Sequence, residues 1–289
     1  MNLRNKGYVL KPKVGHIQFL NCLPLYYGLV KSYALLDIEL IKGMPTELNN
    51  LLLSGKLDIS PISSIEYARH HDSLVLFPDF TVSSDGEVKS ILLLSRFPID
   101  KLSGKKIALT GTSATSQVLL KLILKHGYGI EPEYFVCPPD LNRMLETADA
   151  ALLIGDIALK YYITAKDFYR YDLGIEWKKL TGKKMVYAVW AVNRKFSETK
   201  SELCEKVFET FRKSMDYSLI HLPEIIEYAV KWEPFSPSFL MDYFKSLRFD
   251  FGDDYQEGLL YFYKLASEIE EFQVVTQLEY INLHSGAEI

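Results

Sequence analysis

Residues 14–29 read VGHIQFLNCLPLYYGL. A mostly apolar run through Phe19 stops at Asn21, and Tyr26, Tyr27 and Leu29 then follow at helical spacing. The stretch predicts a buried strand that breaks directly into a helix ending near Lys31. Pro24 falls in the first turn of that helix, where a missing N–H has no intrahelical partner to lose. Two later stretches have the same form. Residues 111–116, GTSATS, follow a predicted strand over 106–110 and open a helix covering Leu119 to Leu124. Residues 60–67, SPISSIEY, follow a predicted strand over 57–62, with Ser63 or Ser64 as helix cap and Glu66 near the third position of a capping box. Each junction puts backbone N–H groups and small polar side chains at a helix start, a place to hold an anion without a cationic side chain. The three ends are expected to face one cleft.

Outward from these junctions, the chain alternates strand and helix. IELIK over 38–42 is a second strand, and Pro45, Thr46, Leu48, Leu51 and Leu52 make a helix closed by Gly55. This order requires right-handed crossovers and an open, largely parallel sheet. Extended chain over 74–80 turns at 83–86, and a long strand over 88–95 is expected to cross to a second unit. There, strands over 134–137 and 150–154 flank a short helix over 140–146, and Gly155 and Asp156 open another. A strand over 184–192 is the expected return crossover. Four segments of helical periodicity follow, over 198–221, 223–232, 237–249 and 253–272, and are expected to pack on the first lobe.

The predicted class is therefore α/β with open mixed sheets: lobe I from 1–92 and 193–289, lobe II from 93–192. Two lobes, with a chain that leaves one and returns, describe the clamp of periplasmic-type solute-binding proteins. Ligands bind outside the carboxyl ends of strands in open α/β sheets, which is where all the junctions lie.

Composition narrows the function. Hydrophobic residues make up 48% and charged residues 24% of 289, as in an ordinary globular protein. A formal charge of −4 from 33 basic and 37 acidic residues points to neither nucleic acid nor a membrane surface. The basic N-terminus lacks the apolar core of a secretory signal, and no apolar run approaches the roughly 20 residues of a membrane span. Cys22, Cys137 and Cys204 are too separated for a CxxC site and odd in number, so a reduced, cytoplasmic protein is expected.

Several polar residues have both a local and a functional reading. Asn21 is a good helix cap, and its amide also donates and accepts without bringing charge. Thr112, Ser113, Thr115 and Ser116 surround one helix start and Ser63 and Ser64 another; such clusters commonly cap, but two on opposite lobes would suit a ligand with two carboxylates. Asp156 either caps its helix or points into the cleft. Ser90 is a single hydroxyl in an apolar strand. The aromatic stripe of Phe235, Phe239, Tyr243 and Phe244 and the cluster 261–263 read as core. No HExxH, GxxxxGKS, GxGxxG or GxSxG occurs, and adjacent His70 and His71 face different ways, so neither metal nor cofactor is expected.

Taken together, GHIQFLNCLPLYYGL, PTELNNLLLSGKLDISPISSIEYA, SSDGEVKSILLLSR, IALTGTSATSQVLLK, ALLIGDIAL and YDLGIEWKKLTGKKMVYAVWAV resemble the chorismate dehydratase family of the futalosine route to menaquinone. The resemblance covers residues 14–192 and implies a type II periplasmic-binding-protein fold turned enzyme. It implies a cofactor-independent hydro-lyase that converts chorismate to 3-[(1-carboxyvinyl)oxy]benzoate. It further implies that Asn21 is catalytic, that Ser90 touches substrate, and that the GTSATS and SSIEY residues sit at the carboxylate sites. LTGKKMVYAVW departs from the family's LTGLPFVFAVW, a difference of local packing. The alternatives are a non-catalytic small-anion binding protein and the sister enzyme that makes dihydroxynaphthoate from the cyclic futalosine derivative.

Overall fold

The computed structural model describes residues 11–32, 34–270 and 272–283; the ends of the expected first lobe, 1–10 and 284–289, lie outside the described residues. Two five-stranded sheets carry the fold. The first is built from β1 (Lys13–Ile17), β2 (Glu39–Gly43), β3 (Ile59–Ser63), β4 (Leu74–Ser84) and the late strand β10 (Met185–Asn193), in the order β2-β1-β3-β10-β4. β1 runs parallel to β2 and β3, and β10 lies antiparallel between β3 and β4. The second has β5 (Ile91–Ser95), β6 (Lys106–Thr110), β7 (Glu133–Cys137), β8 (Ala150–Ile154) and β9 (Tyr169–Asp172), ordered β7-β6-β8-β5-β9. Its parallel centre, β7-β6-β8, is extended by antiparallel β5 and β9.

Helices follow the strands as the residue pattern requires. α1 (Leu23–Lys31) has Pro24 in its first turn, and α2 (Pro45–Leu53) begins on Pro45 and gives way to Gly55 at φ +69°. α3 (Ser64–His70), α4 (Ala114–Leu122), α5 (Leu141–Thr147) and α6 (Gly155–Thr164) each follow a strand of their own sheet. α4 continues as a π-helical turn over Ile123–Tyr128 and stops at left-handed Gly129. α7 (Leu173–Thr181) is capped by Asp172 and ends at left-handed Gly182. Beyond β10 come α8 (Arg194–Thr199), α9 (Ser201–Ile220), α10 (Leu222–Ala229), α11 (Pro237–Ser246) and α12 (Asp253–Ala266). α9 lies against α1, and the approach is close because Gly28 has no side chain: a methyl there would overlap the Ser214 carbonyl oxygen. α12 lies along β10 and α3, and also reaches α4 and α7, where Phe262 meets Trp177 edge-on. Of the aromatic residues expected in the core, Phe235, Tyr243, Phe244, Phe262 and Tyr263 are buried, whereas Phe239 and Tyr261 are half-buried at its edge.

Three local expectations need correction, and one unassigned stretch gains structure. The crossover strand begins at Ile91, not Val88: Val88 to Ser90 is irregular and Lys89 has φ +59°. Asp172 is the reason, since its carboxylate accepts the N–H groups of Val88 and Lys89 while capping α7 through Gly174 and Ile175. β4 continues through residues 83 and 84, so the turn is shorter than expected. β9 and α7 occupy 169–181, a stretch to which the sequence pattern assigns no element. Neither Ser63 nor Ser64 caps α3 with its side chain; Ser64 instead donates to the Val186 carbonyl oxygen at 2.8 Å, and Glu66 is drawn away to Arg69 at 2.6 Å.

Candidate functional site

A cavity lies between the sheets at the carboxyl ends of β1, β3, β6 and β8. Its empty space, open mouth included, is about 610 Å³. Its walls are largely apolar: Ile17, Phe19, Pro61, Ile62, Val82, Ile91, Ile154 and Ala188. Its polar lining comes from Asn21, Ser63, Ser90, Thr112, Ser113, Ser116 and Tyr187. All three expected junctions thus reach one space.

Asn21 sits in one 3-10 turn, Leu20–Cys22, between β1 and α1. Its side chain caps neither element, and its Oδ1 is buried with no hydrogen-bond partner among the described residues. An amide oxygen left so is costly unless something else completes it. Ser63 ends β3 and makes no side-chain cap bond either. On the opposite wall, Ser113 caps α4 by accepting the Ser116 N–H at 3.3 Å, and its hydroxyl pairs with that of Ser116 at 2.9 Å. Thr112 pairs with Thr110 at 2.7 Å. The remaining N–H groups of the first turn of α4 have no side-chain cap among the described residues, so this end favours an anion. Ser90 lies on the irregular crossover, 2% exposed, with a long 3.3 Å hydrogen bond to the Val88 carbonyl oxygen. Tyr243 of α11, unremarked as a site residue from sequence, sets its buried hydroxyl beside Ser90.

Three of the candidate residues lie elsewhere. Ser64 and Thr115 face each other across the lobe contact, hydroxyl to hydroxyl at 3.2 Å, and Thr115 also accepts the Ile65 N–H at 3.1 Å. Both are fully buried, and Tyr263 closes the knot by donating to the Ser64 carbonyl oxygen at 2.7 Å. Asp156 neither caps α6 nor lines the cavity; it accepts the Leu20 N–H at 3.1 Å. Burial pushes its carboxyl up to about 6, against the downward pull of that hydrogen bond.

The electrostatics of the cavity are those of a neutral, hydrogen-bonding chamber. Among the described lining residues, none carries a charge at neutral pH. The two that could ionise are held neutral: burial pushes the Cys22 thiol up to about 12, and burial likewise raises the Tyr187 hydroxyl, which shares a 2.9 Å hydrogen bond with Ser84. His16 lies beyond Phe19, in a second, more open cavity with Asp156, Trp232 and Glu233. Burial, with the nearby Lys42 charge, pushes its imidazole down to about 4. No helix among the described residues is long and apolar enough to cross a membrane.

Comparison with known proteins places these features in a lineage. A family model described as menaquinone biosynthesis matches residues 12–268. A Thermus thermophilus protein named chorismate dehydratase is 32% identical over 255 residues, covering 82% of this chain and 91% of its own. A second Thermus thermophilus protein, named 1,4-dihydroxy-6-naphtoate synthase, is 26% identical over 210 residues and covers 71% of each chain. Among solved structures, a Candida albicans protein described as having the generic periplasmic binding protein fold superposes with a TM-score of 0.70 at 16% identity, covering 96% of this chain and 100% of its own. That likeness shows the fold alone.

Proposed function

The chain belongs to the menaquinone biosynthesis family, and from that premise we propose that its neutral cavity dehydrates chorismate to 3-[(1-carboxyvinyl)oxy]benzoate. The relative at 32% identity carries the dehydratase name, whereas the naphthoate synthase is the more distant at 26%. The observation that carries the reading is the pairing of an unpartnered Asn21 amide oxygen with an α4 start that keeps first-turn N–H groups free beside the Ser113 cap, across an apolar chamber. Chorismate has two carboxylates and an allylic hydroxyl, which ask for anion-holding N–H groups and for a neutral donor or acceptor.

The chemistry follows from what lines the space. A proton leaves C3, its electron pair forms the C3–C4 double bond, and the C4–O bond breaks with its pair on oxygen. The ring becomes aromatic, so the elimination runs downhill. With no ionised side chain in the lining, the proton goes to a carboxylate of the substrate, which returns it to the departing hydroxide as water. Asn21 orients the hydroxyl or that carboxylate. Thr112, Ser113 and Ser116 with the α4 start hold one carboxylate, and Ser63 and Ser90 bind around the other. Closure of apolar walls excludes water from the reacting centre. Ser64 and Thr115 serve the lobe contact. The reaction in this reading needs no cofactor, belongs to the futalosine route, and takes place in the cytoplasm.

The test is direct: purified, chelator-treated protein is mixed with chorismate and followed by mass and aromatic absorbance. Loss of one water from chorismate supports the reading. Tight binding without turnover would make the chain a receptor. Neither binding nor turnover, with consumption of the cyclic futalosine derivative, would make it the sister enzyme.

A further inference from the structure

Asp156 has an exacting position for a residue that does not touch the cavity. It is the second residue of α6 and belongs to the second sheet's half of the chain, yet its Oδ1 takes the N–H of Leu20, at the head of the turn that carries Asn21. That turn has no cap of its own: Phe19 precedes it without a side-chain bond, and the Cys22 N–H closes it on the Phe19 carbonyl oxygen at 3.0 Å. The neighbouring residue grips from the same side. Gly155 has φ +65°, donates its N–H to the Ser90 carbonyl oxygen at 2.8 Å, and lies against the Phe19 ring, 3.3 Å from where its Cβ would be. One helix start therefore holds both the crossover bearing Ser90 and the turn bearing Asn21.

We propose that Asp156 is a positioning residue, a latch from the second lobe that sets the Asn21 turn, so that closing the cleft and assembling the reactive geometry are one event. Leu20–Cys22 is a single short turn closed by two backbone hydrogen bonds, Cys22 N–H to the Phe19 carbonyl oxygen and Leu23 N–H to that of Leu20, and such a turn has little stability alone. With the Leu20 N–H tied to a carboxylate across the lobe boundary, Asn21 is held where its free amide faces the cavity. The role in turnover rests on the dehydratase reading; the role in ordering the turn does not.

Two variants remove the bond from opposite sides. Asp156→Ala deletes the acceptor. Leu20→Pro deletes the donor at a first-turn position whose preceding residue, Phe19, is already extended at φ −102°, ψ 153° and so tolerates a following proline. Asp156→Asn keeps an acceptor and loses the charge. Amide exchange by mass spectrometry on the full chain, with kcat and KM for chorismate, reads the outcome. In Asp156→Ala and Leu20→Pro, exchange at Asn21 and Cys22 is expected to quicken at least tenfold and kcat to fall at least tenfold, with exchange in β6 and β8 unchanged. Asp156→Asn is expected to stay within about threefold of the parent in both. Unchanged exchange at Asn21 and Cys22 in folded Asp156→Ala and Leu20→Pro overturns the latch. So does an Asp156→Asn variant as inactive as Asp156→Ala, which would make the charge a direct substrate contact. If the parent protein itself leaves chorismate intact, the dehydratase reading falls and exchange alone decides the latch.

Discussion

Replacing Asn21 by leucine should make the protein more stable and nearly inactive. The two side chains have the same branching and the same number of heavy atoms, so the change swaps an amide for methyl groups without opening a cavity. In the parent, Oδ1 is buried and has no partner among the described residues. Leaving such a group unsatisfied costs about 1–3 kcal/mol, which leucine would recover. With an unfolding entropy near 0.6 kcal/mol/K for a chain of 289 residues, from roughly 2.1 cal/mol/K per residue, that is a rise in Tm of about 2–5 °C. The expected loss in kcat is about 10²–10³, as for removal of one preorganised hydrogen-bonding group at a reacting centre. Thermal unfolding of ligand-free parent and Asn21→Leu, beside chorismate turnover for each, tests both halves. A variant less stable than the parent would mean that the amide is a structural group. A variant with parental turnover would remove Asn21 from the reaction altogether.

Other expectations follow from the contacts around the site. Thr115→Val keeps shape but strands the Ile65 N–H in the lobe contact, and should lower stability by about 1–3 kcal/mol, read by chemical denaturation. Gly28→Ala drives a methyl into the Ser214 carbonyl where α1 meets α9, so an overpacking loss of about 1–3 kcal/mol is expected in the same assay, and no loss would mean that the helices separate freely. His16 has a folded pKa lowered to about 4, so between there and its unfolded value of about 6.5 the unfolded chain binds more protons, and stability falls as pH drops through that window. Allowing for partial solvent screening, the parent should lose about 2 kcal/mol relative to His16→Gln between pH 7 and pH 4, and parallel stability curves would refute the assignment.

How much of this was legible in the chain depends on whether the signal was local. The strands and helices at the three junctions announce themselves, because apolar runs end at Asn21, Ser63 and Thr110 and helical spacing starts within a few residues. β9 and α7 escape such a reading although their markers are present: Asp172 as cap and Gly182 as left-handed stop. What hides them is the strand's brevity and exposure, since Tyr169 and Arg170 lie open at a sheet edge and supply no apolar run. Ser90 reads as part of a strand because the apolar run over 91–94 follows it directly. The distortion comes from Asp172, 82 residues away, reaching back to the crossover's N–H groups, and no window of local sequence contains it.

The polar residues at the three helix starts are harder still, because residue type cannot separate a cavity hydroxyl from a structural one. Ser63 and Ser64 are neighbours of the same chemistry, as are Thr115 and Ser116. The difference lies in where each spends its hydrogen bonds. Ser64 gives to Val186 and shares with Thr115, and Thr115 also takes Ile65 N–H, so both are fully committed inside the lobe contact. Asn21 and Ser63 make no side-chain cap bond at the elements they adjoin. A folded chain satisfies its buried polar groups almost everywhere, so those left with unspent capacity beside a cavity are where a ligand has something to complete. On that accounting the substrate-facing set should centre on Asn21 and Ser63 with the α4 start, and the clamp's mechanical set on Ser64, Thr115 and Asp156, a division that depends on tertiary contacts and not on motif spelling.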